Sequence, residues 1–258
     1  MSEREISIYR TSGELETYTV PVNDRTTVID ALEYIRLTYD ENLMFRQSCH
    51  HGSCGTCGMA VNGKFVLACT ERIVDQGEEN GVRVEPLPTM PHAGDLAYDP
   101  NGFMQEFPEG LTYLRESEVN KDAETPEGID AFTRFENCIE CGLCVTACPV
   151  TESWMGPAAL AAIHREIEKD PERKEELLDM AEAPRGVSNC TRDFSCVWVC
   201  PTDVKPGQRI VKLQGQLKKR AKAREKEQQE QEQASDQNQT SGPEQAKGEE
   251  QKGSEQGE

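Results

Sequence analysis

The sequence predicts an α+β chain in which a small strand-rich region precedes an all-helical one. Three observations carry this. Alternating apolar stretches with tight-turn dipeptides fill the first ninety residues, proline-started helical stretches follow residue 150, and residues 225–258 contain no aromatic or branched aliphatic side chain. Glu5–Arg10 and Glu16–Val22 read as a hairpin about Ser12-Gly13. Thr27 then offers a helix cap with Asp30 three residues on, and Val28, Leu32 and Ile35 form one apolar face. Met59–Val61 and Lys64–Ala68 flank Asn62-Gly63, a strong tight-hairpin signal, and Gly81–Leu87 reads as a last short strand. Strands around one helix fit a β-grasp arrangement. Pro86, Pro88, Pro91 and Pro100 mark a linker or ordered crossing loop over 88–102.

In the second region Gly156-Pro157 opens a helix to about Lys169, because proline is tolerated in a first turn. Asp170-Pro171 ends it and starts another through Met180; a further helix begins near Pro206 and passes Leu217. The expected organisation is therefore 1–102 (strand-rich domain with linker), 103–224 (helical domain) and 225–258, a Glu/Gln-rich tail whose composition cannot bury a core and should stay disordered. The tail's inner edge is able to extend the preceding helix.

The chain has 258 residues, a formal net charge of −19 and only 36% hydrophobic residues. Its longest apolar stretch, Ala158–Ile163, is too short to cross a bilayer, and the first thirty residues lack a signal-peptide pattern. A soluble cytoplasmic chain is expected. The acidity argues against a nucleic-acid partner, whose phosphates it would repel; it suits a high-salt surface and an ordinary acidic protein equally. Lys205–Arg224 stands apart, with eight basic residues and no acidic one. It reads either as a solvated helix face or as a docking surface for a membrane or an anionic partner.

Eleven cysteines carry the chemistry. An odd count in a long chain without an export signal disfavours a disulfide framework, and clustered thiols then point to metal. Cys49, Cys54, Cys57 and Cys69 follow the C-x4-C-x2-C…C spacing of plant-type [2Fe-2S] ferredoxins. Gly52, Gly55 and Gly58 let the backbone wrap closely and aim N–H groups at sulfur, and Arg46 offsets the anionic charge. Zinc is the competing reading, disfavoured by this spacing and glycine density. His50 and His51 suggest a two-histidine centre, but four cysteines suffice and adjacent side chains rarely aim at one atom; both are expected to face solvent. Cys138, Cys141, Cys144 and Cys148-Pro149 form the bacterial dicluster run, whose fourth cysteine serves the other cluster. Cys190, Cys196 and Cys200-Pro201 repeat it with Asp193 where a cysteine is missing. Crossing the fourth cysteines gives Cys138, Cys141, Cys144 and Cys200 to a [4Fe-4S] cluster and leaves Cys148, Cys190 and Cys196 for a [3Fe-4S] cluster, so that every cysteine is used. Asp193 either faces solvent or holds a labile fourth iron, making the third centre [4Fe-4S].

At these residues the chain resembles the iron–sulfur subunits of succinate dehydrogenases and fumarate reductases. The matching stretches are SCHHGSCGTC (48–57), VEPLP (84–88), CIECGLCVTACP (138–149), GPAAL (156–160) and Cys190–Pro201. The resemblance covers roughly residues 5–220. It implies an N-terminal β-grasp plant-type [2Fe-2S] ferredoxin domain followed by an all-helical bacterial-type dicluster ferredoxin domain. It implies a partner flavoprotein carrying FAD, membrane anchor subunits, and quinone as the redox partner near the third cluster. It also implies a peripheral place on the cytoplasmic side of the cell membrane, and no substrate-converting site on this chain alone. Two features depart from it: Asp193 stands where an apolar residue is common, and Pro149–Gly156 is short. Trp154 then lines a quinone pocket or packs beside the cluster. Lys212 approaches a quinone oxygen or a heme propionate, or is solvated. Thr191 hydrogen-bonds a sulfide or quinone, or caps a turn. Subunits of thiol-linked fumarate reductases or glycolate-oxidase-like complexes keep the same wire with different ends; a non-catalytic metal-binding module is the remaining alternative.

Overall fold

A computed structural model of the chain describes residues 2–77, 81–112, 138–150 and 154–240, the last seven by backbone alone. Contacts divide the chain into two compact units, Met1–Gln216 and Leu217–Glu258.

The first unit opens with β1 (Ser2–Tyr9) and β2 (Leu15–Val22), an antiparallel hairpin in the register Ser2 to Val22 and Tyr9 to Leu15. The chain crosses through α1 (Val28–Thr38) and returns as β3 (Gly58–Val61), β4 (Lys64–Leu67) and β5 (Val82–Glu85). The five strands form one sheet ordered β2-β1-β5-β3-β4, with β5 parallel to β1 and antiparallel to β3. This is the expected β-grasp arrangement. α1 starts where Thr27 and Asp30 form a reciprocal capping box: Thr27 Oγ1 accepts from the Asp30 N–H at 3.3 Å, and Asp30 Oδ2 accepts from the Thr27 N–H at 2.9 Å. Val28, Leu32 and Ile35 of α1 are buried, as are Ile6, Ile8, Val20, Val61 and Val84 of the sheet. Asn62 and Gly63 both take positive φ (48° and 77°), the pair a tight β3–β4 turn requires.

Residues 88–102 are an ordered crossing segment. They hold a two-stranded ladder, β6 (His92–Gly94) with β7 (Ala97–Tyr98), before α2 (Asn101–Met104) begins. Buried Asp95 ties this segment down. Its Oδ1 accepts from the Thr11 N–H and hydroxyl, both at 2.9 Å, and lies 3.3 Å from Arg10 Nε. Its Oδ2 accepts from the Met44 N–H at 2.9 Å. Burial alone would raise the Asp95 pKa, but these donors and Arg10 together hold it below its ordinary value.

The helical part comprises α3 (Leu143–Thr146), α4 (Gly156–Lys169), α5 (Lys174–Glu182), α6 (Ser195–Trp198) and α7 (Pro206–Thr240) among the described residues. α4 has the expected bounds and is buried from Gly156 to Ile167, packing on Leu177, Leu178 and Ala181 of α5. The chain after Asp170 first makes a short 3-10 turn, Pro171–Arg173, so α5 starts three residues later than Pro171 suggests.

The second unit differs from the expected disordered tail. The helix begun at Pro206 continues through it to Thr240, and Lys226 pairs with Glu230 one turn on at 3.5 Å. Glu, Gln, Lys and Ala cannot form a core, yet they are strong helix formers, so an exposed helix is their natural local state. Residues 241–258 lie outside the described part, as does the 113–137 stretch of the expected helical domain.

Because the folded state keeps Asp95 ionised, its contribution is present at neutral pH and fades as the pH falls through the carboxylate range. Asp95→Asn is expected to lower stability by about 1–3 kcal/mol, read as a shift of the urea midpoint at pH 7 with the m-value unchanged.

Candidate metal centres

The first centre is built by the loop between α1 and β3. His50, Gly52 and Gly55 take φ of 60°, 76° and 69°, turning successive peptide N–H groups inward. The Ser53 and Cys54 N–H groups donate to Cys49 Sγ at 3.3 and 3.4 Å, and the Gly52 N–H donates to Cys69 Sγ at 3.2 Å. The N–H of His51, with those of Ser53 and Cys54, pulls the Cys49 thiol down to about 6. Cys57 is buried, and burial pushes its thiol up to about 12. His50 and His51 are exposed, and His50 Nε2 lies 3.8 Å from Glu33 Oε1. Arg46 stacks over the Tyr98 ring, 4.6 Å from its centroid, and lines a cleft with Cys54, Gly55 and Cys141.

The second centre draws on distant stretches. Cys138, Cys141, Cys144 and Cys200 line one cavity together with Ala158 and Ala161 of α4. Burial raises the thiols of Cys138 and Cys144, and that of Cys141 to about 12, and neighbouring sulfurs push each of them further in the same direction. The Val204 N–H donates to Cys200 Sγ at 3.3 Å.

Cys148, Cys190 and Cys196 line a third cavity with Trp154, Thr191, Asp193 and Ile210. Burial raises Cys196 to about 11. The two ligand loops share one backbone path. Glu140 and Gly142 have φ of 52° and 76°; Arg192 and Phe194, at the corresponding steps, have 60° and 67°. Each loop then enters a four-residue helix, α3 or α6. Asp193 thus occupies the position of Cys141. Its Oδ1 accepts from the Ser195 N–H at 3.2 Å and from the Ser195 hydroxyl, which holds the start of α6. Trp154 is fully buried, and its indole N–H has no hydrogen-bond partner among the described residues. Thr191 is exposed at the cavity mouth, whereas Lys212 is exposed and outside that lining, on the α7 side that faces His164.

The donor chemistry selects the kind of metal. Buried thiols pushed up to 11–12 become thiolates only when a cation offsets their desolvation. Among the described residues, no three cysteine sulfurs lie within 4.8 Å of one another. A single tetrahedral zinc with bonds of about 2.3 Å needs its sulfurs closer than that. The wider spread fits clusters of several irons.

Residues 5–105 match a family described as a 2Fe-2S iron-sulfur cluster binding domain, and residues 134–204 one described as a 4Fe-4S dicluster domain. The chain is 32% identical over 215 residues to the fumarate reductase iron-sulfur subunit of Haemophilus influenzae, covering 76% of this chain and 83% of the relative. To the Mycobacterium tuberculosis fumarate reductase iron-sulfur subunit it is 35% identical over 219 residues, or 80% and 88% of the two chains. To the mitochondrial succinate dehydrogenase [ubiquinone] iron-sulfur subunit of Candida glabrata it is 32% identical over 213 residues, or 79% and 84%. Among solved structures, a chain of the Mycobacterium smegmatis Sdh1 complex in the apo form matches with a TM-score of 0.73 at 27% identity, over 84% of this chain and 96% of that one.

Because Cys200 shares a cavity with Cys138, Cys141 and Cys144, Cys200→Ala is expected to remove the second centre's EPR signal and leave the first centre's intact. Loss of the third centre's signal alone would reverse the crossed assignment.

Proposed function

The chain belongs to the iron–sulfur subunits of succinate dehydrogenase and fumarate reductase, and from that premise we propose the assignment of its sulfur ligands, its partners and its acceptor. It is an electron-transfer subunit of a quinone-linked oxidoreductase complex. Cys49, Cys54, Cys57 and Cys69 hold a [2Fe-2S] cluster; Cys138, Cys141, Cys144 and Cys200 hold a [4Fe-4S] cluster; Cys148, Cys190 and Cys196 hold a [3Fe-4S] cluster. When bound, such clusters supply one-electron steps between a two-electron donor and a two-electron acceptor. The protein's own contribution is to aim N–H groups at sulfur, exclude water and fix the spacing of the ligand sets. The observation that carries the assignment is the meeting of Cys200 with three cysteines more than fifty residues earlier around one cavity.

Succinate or fumarate is handled by a partner flavoprotein carrying FAD. Quinone approaches the third centre, where membrane anchor subunits hold the chain peripherally on the cytoplasmic side. No helix among the described residues is long and apolar enough to cross a membrane, in keeping with anchoring by other subunits. The indole N–H of Trp154 is the donor available for a quinone oxygen, and Thr191 borders the same cavity. Lys212 is exposed and lies outside that lining, which supports its reading as a solvated side chain. No cysteine follows Cys200 in the sequence.

Asp193 Oδ1 is engaged by Ser195, which favours three irons in the third centre as isolated. Asp193 holds the loop position of Cys141, which supports its second carboxylate oxygen as the ligand of a fourth iron. Excess ferrous iron under reducing conditions is therefore expected to convert the centre to [4Fe-4S] in the natural chain and not in Asp193→Ala. An unchanged three-iron Mössbauer spectrum in both would remove Asp193 from the ligand set.

The purified complex is expected to contain a flavoprotein and hydrophobic anchors, and succinate should reduce at least two EPR-distinct clusters. Clusters that load fully but stay oxidised under succinate would defeat the reading.

A further inference from the structure

The ligand loops of the first and second centres do not merely face each other; they are in backbone contact, and glycines make the contact possible. A Cβ built on Gly55 would lie 2.5 Å from the Ile139 carbonyl oxygen and 2.9 Å from Cys141 Cβ. The clash is with backbone and with a ligand's own Cβ, so no rotamer change relieves it. Gly55 also has φ of +69°, a conformation other residues adopt only under strain. Three residues on, a Cβ on Gly58 would meet Leu143 Cδ2 at 3.2 Å and the Cys141 carbonyl oxygen at 3.4 Å. From the other direction, Gly142 sits under Met90, whose Cε would be 2.5 Å from an added Cβ. Cys141 is thus enclosed by the first centre's loop and its supporting strands.

Resting on the ligand assignment above, we propose that Gly55 is the positioning residue for electron passage between the first two centres, and that the Cys54–Gly55 backbone against Cys141 is the bridge. Cys54 belongs to the first ligand set and Cys141 to the second, so the contact joins them through the short covalent path from Cys54 Sγ to Gly55 Cα, one van der Waals gap and the Cβ–Sγ bond of Cys141. One electron crosses at a time and no bond is made or broken. Succinate supplies the electrons through the flavoprotein and quinone removes them. Tunnelling falls off exponentially with added gap, so a methyl group forced between these backbones slows the passage without touching a ligand.

The test uses the whole complex carrying Gly55→Ala, with Gly63→Ala as control. Gly63 also has positive φ (77°), but nothing lies within 4 Å of an added Cβ, so it shares the backbone strain and not the clash. Three quantities are read: iron content with EPR spin count, microwave power saturation of the first cluster's signal with the second reduced, and succinate turnover to a dye taking electrons at the flavin against turnover to quinone. Gly55→Ala is expected to load all clusters and keep dye turnover. Its first cluster should saturate at severalfold lower power, because magnetic coupling to the second weakens, and its quinone turnover should fall severalfold. Gly63→Ala should match the natural complex in all three. Full loading with unchanged saturation and quinone turnover in Gly55→Ala overturns the proposal. Should Gly55→Ala fail to load, Gly58→Ala decides: it meets side-chain ends that yield, so a smaller loss of coupling supports the bridge and unchanged coupling overturns it. A natural complex without two magnetically coupled clusters overturns the ligand assignment itself.

Discussion

The structure depends on keeping sulfur negatively charged inside protein. Cys57 and Cys196 are buried and Cys141 and Cys144 partly so, and desolvation drives all four thiols toward the neutral form. Such a set is unfavourable by itself, because each ionised sulfur raises its neighbours further. Iron reverses the balance, and the surrounding N–H groups finish it. The strained residues serve this end. His50, Glu140, Arg192 and Phe194 accept positive φ, a costly choice for non-glycine residues, and in the first two of these turns the His51 and Glu140 N–H groups bond Cys49 and Cys138. Folding of this chain and loading with metal are therefore linked equilibria.

The proposed ligand sets cross between the two cysteine stretches. Cys200 completes the cavity of Cys138, Cys141 and Cys144, while Cys148 turns to Cys190 and Cys196. Each stretch needs the other to complete its site. α4 supplies the floor between them: Ala158 and Ala161 face the second cavity and Pro157 the third, and small residues here let the ligand loops approach the helix closely. The helix is buried along twelve consecutive residues, far more than an amphipathic surface helix requires, because ligand-bearing loops and α5 cover it.

Much of this was legible in the sequence because it is encoded locally. The Thr27–Asp30 box, the Asn62-Gly63 turn, the proline-started α4 and the cysteine spacings are each properties of a few adjacent residues. What escaped is non-local or depends on a balance of weak terms. The ladder and Asp95 staple within 88–102 rest on Thr11 and Met44, more than fifty residues away. The continuation of α7 to Thr240 turns on helix propensity, which a judgement based on missing apolar residues overlooks. Gly55 and Gly58 were legible as freedom for the cluster loop, but that they also make room for Cys141 appears only when chain segments some eighty residues apart are brought together. Lys212 shows the converse: sequence nearness to Cys200 does not place it at the third cavity.

The ligand sets meet in sequence along the fold. Cys54–Gly55 touches Cys141, and Cys144 lies near enough to Cys196 for that sulfur to raise its thiol. The first set stands on a sheet, the second and third on helices, yet one compact unit holds all three. Had the strand-rich and helical regions been joined by a hinge, every domain motion would have modulated the gap, and a rate that falls exponentially with distance would be governed by the widest excursions. The interlocked glycines, the buried Met90 over Gly142 and the stapled 88–102 crossing all oppose such motion. Under the proposed bridge, rigidity is a functional property, and the close approach of Gly55 to Ile139 and Cys141 supplies it at the seam between the two regions.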